Sequence, residues 1–132
     1  MPAIHESAYR LLERVFVEAW GDASPVKLTR TGRIPLPPYV GLSAVWRSAH
    51  GNDDEQSAKG LFSVVVSVRA EQGMDTALEL LGRAVETLEF RQFKGNGFVV
   101  NCREARVGGS ASRSGALHSL IVHFDVSAEV TD

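Results

Sequence analysis

Cysteine is nearly absent from this chain of 132 residues, since Cys102 is the only one present. A lone thiol cannot form an internal disulfide, and it cannot by itself hold a structural zinc ion, which takes four Cys or His ligands. Cys102 lies in a strand-like run with Val99 and Asn101. This pattern favours a small buried apolar side chain over a nucleophile.

Long apolar runs and a strong charge bias are also missing. No apolar run approaches the roughly 20 residues that a helix needs to cross a bilayer, so we expect no membrane partner. Residues 1–7 lack the basic start and apolar block of a secretory signal, which indicates a cytoplasmic protein. The net charge of -2 argues against a general nucleic-acid binder, and we expect no sequence-specific nucleic-acid partner.

The clearest pattern is a strand that runs directly into a helix within residues 61–88. Phe62, Val64, Val66 and Val68 occupy alternate positions, as in a half-buried strand of an antiparallel sheet. The apolar period then changes to that of an amphipathic helix, which we expect to cover one face of the sheet. Its predicted apolar stripe contains Met74, Ala77, Leu78, Leu81, Ala84, Val85 and Leu88.

The remaining periodicities complete a single α+β domain that spans residues 1–132. A first amphipathic helix is predicted from Ile4 to Ala19, and strands are predicted at residues 25–28, 39–46, 98–107 and 117–130. The order α-β-β-β-α-β-β favours a mostly antiparallel sheet with both helices packed on one face.

Two segments lack any hydrophobic period. Residues 47–60 are polar, and residues 107–116 are rich in glycine and serine. Such compositions bury too little apolar area to offset the entropy of ordering, so we predict mobile loops at both places.

No pattern typical of a catalytic or metal site emerges. Near His50, the three acids at residues 53–55 are adjacent to one another, whereas a calcium loop needs ligands at alternating positions between helices. His118 and His123 are five residues apart and point to opposite faces of a strand, so they cannot share one ion. The turn-forming residues 95–97 follow a helix, the reverse of a phosphate-binding order. We therefore expect no catalytic residue, no metal and no cofactor.

A candidate interface remains. Some apolar residues fall on the strand faces opposite the predicted core, where either a neighbouring subunit covers them or they are scattered exposed positions; we favour the subunit. Charged residues of the two predicted loops join this set. The candidates are Arg47, Asp53, Asp54, Lys59, Val65, Val99, Arg106, Arg113 and Ile121.

The layout as a whole resembles a known family. Its elements are similar to those of the small tail-terminator and tail-completion proteins of long-tailed bacteriophages, which are minor tail proteins. The matching elements are a leading helix, a Pro-rich entry to a strand at residues 35–40, a long polar hairpin loop, the strand and helix of residues 61–88, and a last strand that contains residues 120–126. The resemblance spans nearly the whole chain and rests on element order and hydrophobic pattern.

The resemblance implies a non-enzymatic structural protein of a phage or prophage tail. Such a protein assembles with itself into a ring, commonly of six subunits, which caps the tail tube and joins it to head-completion proteins. The tail-tube protein and a head-tail completion protein would be its partners, in the host cytoplasm during assembly and in the virion tail afterwards. The alternative is an enzyme or a small-molecule-binding α+β domain whose pocket lies between the sheet and the loops.

Overall fold

A computed structural model describes residues 4–21, 26–27, 39–49, 57–69, 73–114 and 117–131, with the backbone alone at residues 26–27, 47–49, 109–114 and 117–118. None of the helices in these residues is long and apolar enough to span a bilayer. The elements, in chain order, are α1 (Ile4–Trp20), β1 (Val26–Lys27), β2 (Tyr39–Ala49), β3 (Ser57–Arg69), α2 (Gly73–Leu88), β4 (Gln92–Lys94), β5 (Phe98–Ser114) and β6 (Leu117–Val130).

The strands form one six-stranded sheet in the order β1-β2-β3-β6-β5-β4. The short strand β1 runs parallel to β2, and every other neighbouring pair is antiparallel. The predicted α+β class and element order are confirmed, with one addition. The sequence reading missed β4, whose three residues contain a single apolar side chain and so carry no period.

The core lies between the two helices and one face of the sheet. Alternate residues of β3 and β6 are buried as predicted, and Phe62 and Phe124 pair directly across these strands. Helix α2 departs from the predicted stripe at one side. Leu78 was wrongly placed in the core, because its side chain is 52% exposed, and the position buried in its place is Leu80.

The C-terminus of α1 is fixed against α2 by one aromatic side chain. The Trp20 ring stacks on Phe16 with centroids 5.0 Å apart and is fully buried. Arg83 of α2 donates a hydrogen bond of 3.0 Å to the Trp20 carbonyl, and its guanidinium lies 5.5 Å from the indole centroid. This cation–π contact links the two helices, neither of which has a basic residue in its own last turn.

The loop predicted at residues 107–116 was wrong over most of its length, because residues 107–114 form the second half of β5. Their backbone pairs with β6 from Val107 opposite Val122 to Ser114 opposite Leu117. Glycine and serine lack the apolar side chains whose alternation marks a strand in the sequence. Their backbone groups can still form the hydrogen bonds of a β-sheet when a strand with clear alternation, such as β6, lies alongside.

The other predicted loop is shorter than expected. Residues 47–49 belong to β2 and residues 57–60 to β3, while residues 50–56 lie outside the described part of the chain. The predicted mobility of both segments stays a prediction.

Candidate interaction surface

One face of the sheet is left uncovered by the helices, and we call it the open face. Its centre is a low apolar ridge made by Val65 of β3 and Ile121 of β6, which are opposite each other in the register. Glycines flank this pair, with Gly41 opposite Val65 and Gly108 opposite Ile121. The surface is therefore low and flat around two branched side chains.

The glycine at position 108 is required by its neighbours. A Cβ atom there would lie 2.6 Å from His123 Nε2 and 2.9 Å from Ile121 Cγ2, well inside contact distance. At Gly41, on the same row of the sheet, a Cβ atom would meet no atom of the described residues within 4 Å. His123 and Ile121 thus lie across β5 in a space that any larger residue at position 108 would fill.

Two cross-strand pairs that involve serine hydroxyls lie beside the Val65 and Ile121 ridge. Ser63 Oγ and His123 Nδ1 are 2.6 Å apart, and Ser67 Oγ and Ser119 Oγ are 2.9 Å apart. Ser63 is 8% exposed and Ser67 is 2% exposed, although both are on the face without helices. These cross-strand hydrogen bonds satisfy buried polar groups and fix the facing side chains of β3 and β6.

An ion pair closes the same row at β5. One guanidinium nitrogen of Arg106 donates to both carboxylate oxygens of Asp125, at 2.8 and 2.9 Å. Both side chains are about half exposed, at 55% and 45%, so solvent screening leaves this pair a small contribution to stability. Its effect is to hold Asp125 against β5.

Most of the sequence-predicted interface residues that the structure describes with side chains share the open face. Lys59 and Arg106 are exposed there; Arg106 is opposite His123, next to the Val65 and Ile121 ridge, and Lys59 is opposite Ser127, farther along the strands. Val99 is on the same face but apart from the ridge, since it lies opposite Lys94 and Glu129. Val65, Val99 and Ile121 are thus all on the face opposite the core, as predicted, with Val99 away from the other two.

The structure says less about the other four predicted interface residues. Arg47 falls at the register shift between Trp46 and Ser48 of β2, where a bulge adds a residue. Arg113 is in β5 opposite His118 and is described by its backbone alone. Asp53 and Asp54 lie outside the described residues.

Cys102 faces the core, as predicted. It is 3% exposed, and burial raises the pKa of its thiol to about 12. A thiol in this environment stays protonated at physiological pH and is inert as a nucleophile.

Strands β2 and β5 extend beyond the short outer strands β1 and β4, and both carry features that hinder pairing with another strand. Strand β5 has register shifts between Cys102 and Ala105 and between Gly108 and Ser112, in addition to the shift in β2. The Glu89 carboxylate, from the end of α2, accepts the Ala105 N–H at 2.9 Å, so this edge donor is occupied. Bulges and occupied donors of this kind protect edges, which makes the open face and the corners the more available surfaces.

A second surface, which the sequence reading missed, lies where α2 ends. Phe90 has a φ of 57°, a left-handed conformation, and its side chain is 74% exposed. Glycine is the usual residue at such a helix end, and another residue there costs roughly 1–2 kcal/mol. Arg91 and Arg103 lie beside it, along a shallow groove of about 500 Å³. We call Phe90, Arg91 and Arg103 the Phe90 corner.

Gly82 is the second unusual feature of that region. It is exposed in the middle of α2, where a Cβ atom would meet nothing within 4 Å among the described residues. Glycine here costs about 1 kcal/mol relative to alanine without relieving any contact among those residues.

No group of three or more His, Cys, Asp or Glu side chains that could hold a metal occurs within the described part of the chain. Ser63 and His123 form a hydrogen-bonded pair, but Ser63 is nearly buried and the carboxylate of Asp125 is held by Arg106. The geometry therefore differs from that of a serine nucleophile activated by a histidine and an acid, in which the acid orients the histidine.

Comparison with known proteins supports the fold assignment and does not bear on the function. No family model matches the chain, and no curated protein matches it. Solved structures share the fold, and one of them superposes with a TM-score of 0.72 at 17% sequence identity, covering 93% of this chain and 96% of the other. The designation of that protein states no activity or partner. At this identity the likeness establishes a shared architecture over nearly the full length of both chains.

Proposed function

We propose that this chain is a non-enzymatic structural protein of a phage or prophage tail, and that it assembles as a ring that terminates the tail tube. The observation that carries the proposal is the division of the sheet. Both helices pack on one face, and the other face, which no helix of the described residues covers, carries Val65, Ile121, Lys59 and Arg106. A surface of this kind suits docking against flat protein neighbours.

The resemblance to tail-terminator and tail-completion proteins supplies the identity of those neighbours. In this proposal the partners are further copies of the chain, the tail-tube protein and a head-completion protein. A ring requires a contact between two different patches whose rotation closes, because a self-complementary patch stops at a dimer. The chain offers distinct patches on its open face and at the end of α2.

The enzyme alternative has one observation in its favour, the Ser63 and His123 pair at 2.6 Å. An active Ser–His pair needs an exposed hydroxyl and a group that orients the histidine. Ser63 is 8% exposed, and Asp125 is engaged by Arg106. Binding is therefore the better account of this face.

The test is tube length. Purified protein is added to polymerising tube subunits encoded beside its gene, and tube lengths are measured by electron microscopy over a range of molar ratios. The proposal expects tubes that shorten as the ratio rises. Tubes of unchanged length at every ratio would contradict it, and turnover in a substrate screen would favour the enzyme alternative.

A further inference from the structure

We propose that Asn96 is a site of spontaneous covalent modification, at which the side-chain amide is converted to a carboxylate through a cyclic succinimide. The inference is independent of the proposed function, because it concerns only the turn between β4 and β5. That turn consists of Gly95, Asn96 and Gly97, and the Asn-Gly pair is common in hairpin turns. Asparagine is among the thermolabile residues of proteins, and the reaction needs water alone as a second reactant.

The reaction joins two groups that are adjacent in the chain. The backbone nitrogen of Gly97 attacks the Asn96 Cγ atom, a C–N bond forms, and ammonia leaves with the proton from that nitrogen. Water then adds to one of the two carbonyl carbons of the five-membered ring, and the bond from that carbon to the nitrogen breaks. The hydroxyl stays on the carbon and the proton goes to the nitrogen. The product is aspartate or isoaspartate, and no atom is oxidised or reduced.

Both reacting groups are accessible in this turn. Asn96 and Gly97 are exposed. The Gly97 N–H donates no hydrogen bond to any residue that the structure describes, and the Asn96 side chain has no hydrogen-bond partner among those residues. Gly97 has a φ of 84°, a left-handed conformation that favours glycine. The fold thus requires at this position the residue that leaves the attacking nitrogen least hindered.

Asn101 has the same side chain but is restrained at both groups. The Cys102 N–H, which would supply the attacking nitrogen, donates to the Arg91 carbonyl at 2.8 Å. The Asn101 side-chain oxygen accepts a hydrogen bond of 2.9 Å from the Gln92 amide. The structure therefore distinguishes two exposed or half-exposed asparagines of the same sheet edge, one with a free neighbouring N–H and one with an engaged N–H.

Conversion would change the turn in two ways. A carboxylate at position 96 adds one negative charge, and isoaspartate also adds one carbon to the backbone. The Gly95 N–H donates to the Phe98 carbonyl at 2.9 Å across this turn. The Thr131 N–H, just after β6, donates to the Gly97 carbonyl at 2.8 Å. An added backbone carbon between these bonds loosens the contact between the turn and the end of β6.

The experiment is incubation of the purified full chain in mildly alkaline buffer made with water labelled with heavy oxygen. Tryptic digestion in ordinary water and mass spectrometry follow. One tryptic peptide, residues 95–103, contains both asparagines, so its fragment ions assign the mass change to one or the other. Heavy oxygen in the product marks conversion during incubation rather than during digestion. The proposal expects Asn96 to convert at least about tenfold faster than Asn101, because its neighbouring nitrogen is free and unhindered.

Two controls separate the effect of the fold from that of the local sequence. Asn96→Gln lengthens an exposed side chain, so the five-membered ring cannot form and the mass change at position 96 should be lost. Urea releases the Cys102 N–H, so the ratio of the Asn96 rate to the Asn101 rate should be lower in urea than in the folded chain. A ratio that urea leaves unchanged would refute the protective role of the Cys102 hydrogen bond.

The folded chain gives the decisive result. If Asn96 stays unmodified there while it converts in urea, the turn protects the amide and the proposal is wrong. Equal rates for Asn96 and Asn101 in the folded chain would overturn it as well.

Discussion

Replacing Phe124 by alanine is expected to remove about 3 to 5 kcal/mol of folding stability. Phe124 is in the middle of β6, is fully buried, and lies between Phe62 of β3 and Ala105 of β5. Loss of its buried apolar surface costs about 1.5 to 3 kcal/mol. A residual cavity of roughly 50 to 100 Å³ adds about 1 to 2 kcal/mol, at about 24 cal/mol for each cubic ångström.

Urea denaturation followed by circular dichroism measures this loss. The matched control is Val45→Ala on the open face, where the side chain is 65% exposed and the expected change is below about 0.5 kcal/mol. Leu81→Ala in α2, whose side chain is 5% exposed, should cost about 2 to 5 kcal/mol. Losses below about 0.5 kcal/mol for both Phe124 and Leu81 would show that the core has been assigned to the wrong faces.

Three further perturbations test other parts of the structure. Gly108→Ala should lower the free energy of unfolding by about 1 to 3 kcal/mol, because the new methyl group displaces His123. Gly41→Ala should not lower it, and equal losses of unfolding free energy for the two variants in urea would refute the steric reasoning. Cys102 should resist alkylation at pH 8 until the protein unfolds. Because the pKa of its thiol rises from 9.0 to about 12 on folding, the contribution of this thiol to stability should be unchanged below pH 9 and should fall between pH 9 and 12. A contribution that does not change over that range would contradict its burial. Phe90→Gly should raise the unfolding free energy by about 1 kcal/mol, and a loss of stability would show that the ring packs within its own chain.

The elements with strong periodicity could be predicted from the sequence. The alternation of β6 gave its range, Leu117–Val130, and the same reasoning placed Val65, Val99 and Ile121 on the face opposite the core. The second half of β5 could not be predicted, because its glycines and serines carry no period and its pairing is supplied by β6.

The Phe90 corner and the exposure of Leu78 could not be predicted, for different reasons. The left-handed φ of Phe90 is fixed by the bond to the Arg103 carbonyl, a contact between residues that are distant in sequence. Leu78 fits the apolar period of α2, but periodicity gives the direction of the buried stripe more reliably than its width. Which side of the stripe stays exposed depends on the neighbouring elements.

The most direct test of the proposed tail function is the location of the protein on finished tubes. Labelled protein is mixed with tubes assembled from the neighbouring tube subunits, and the label is imaged by electron microscopy with averaging of the tube ends. The account predicts a closed ring at tube ends with no label along the tube walls. Bare ends, or label spread evenly along the walls, would contradict the claim that this chain terminates a tail tube.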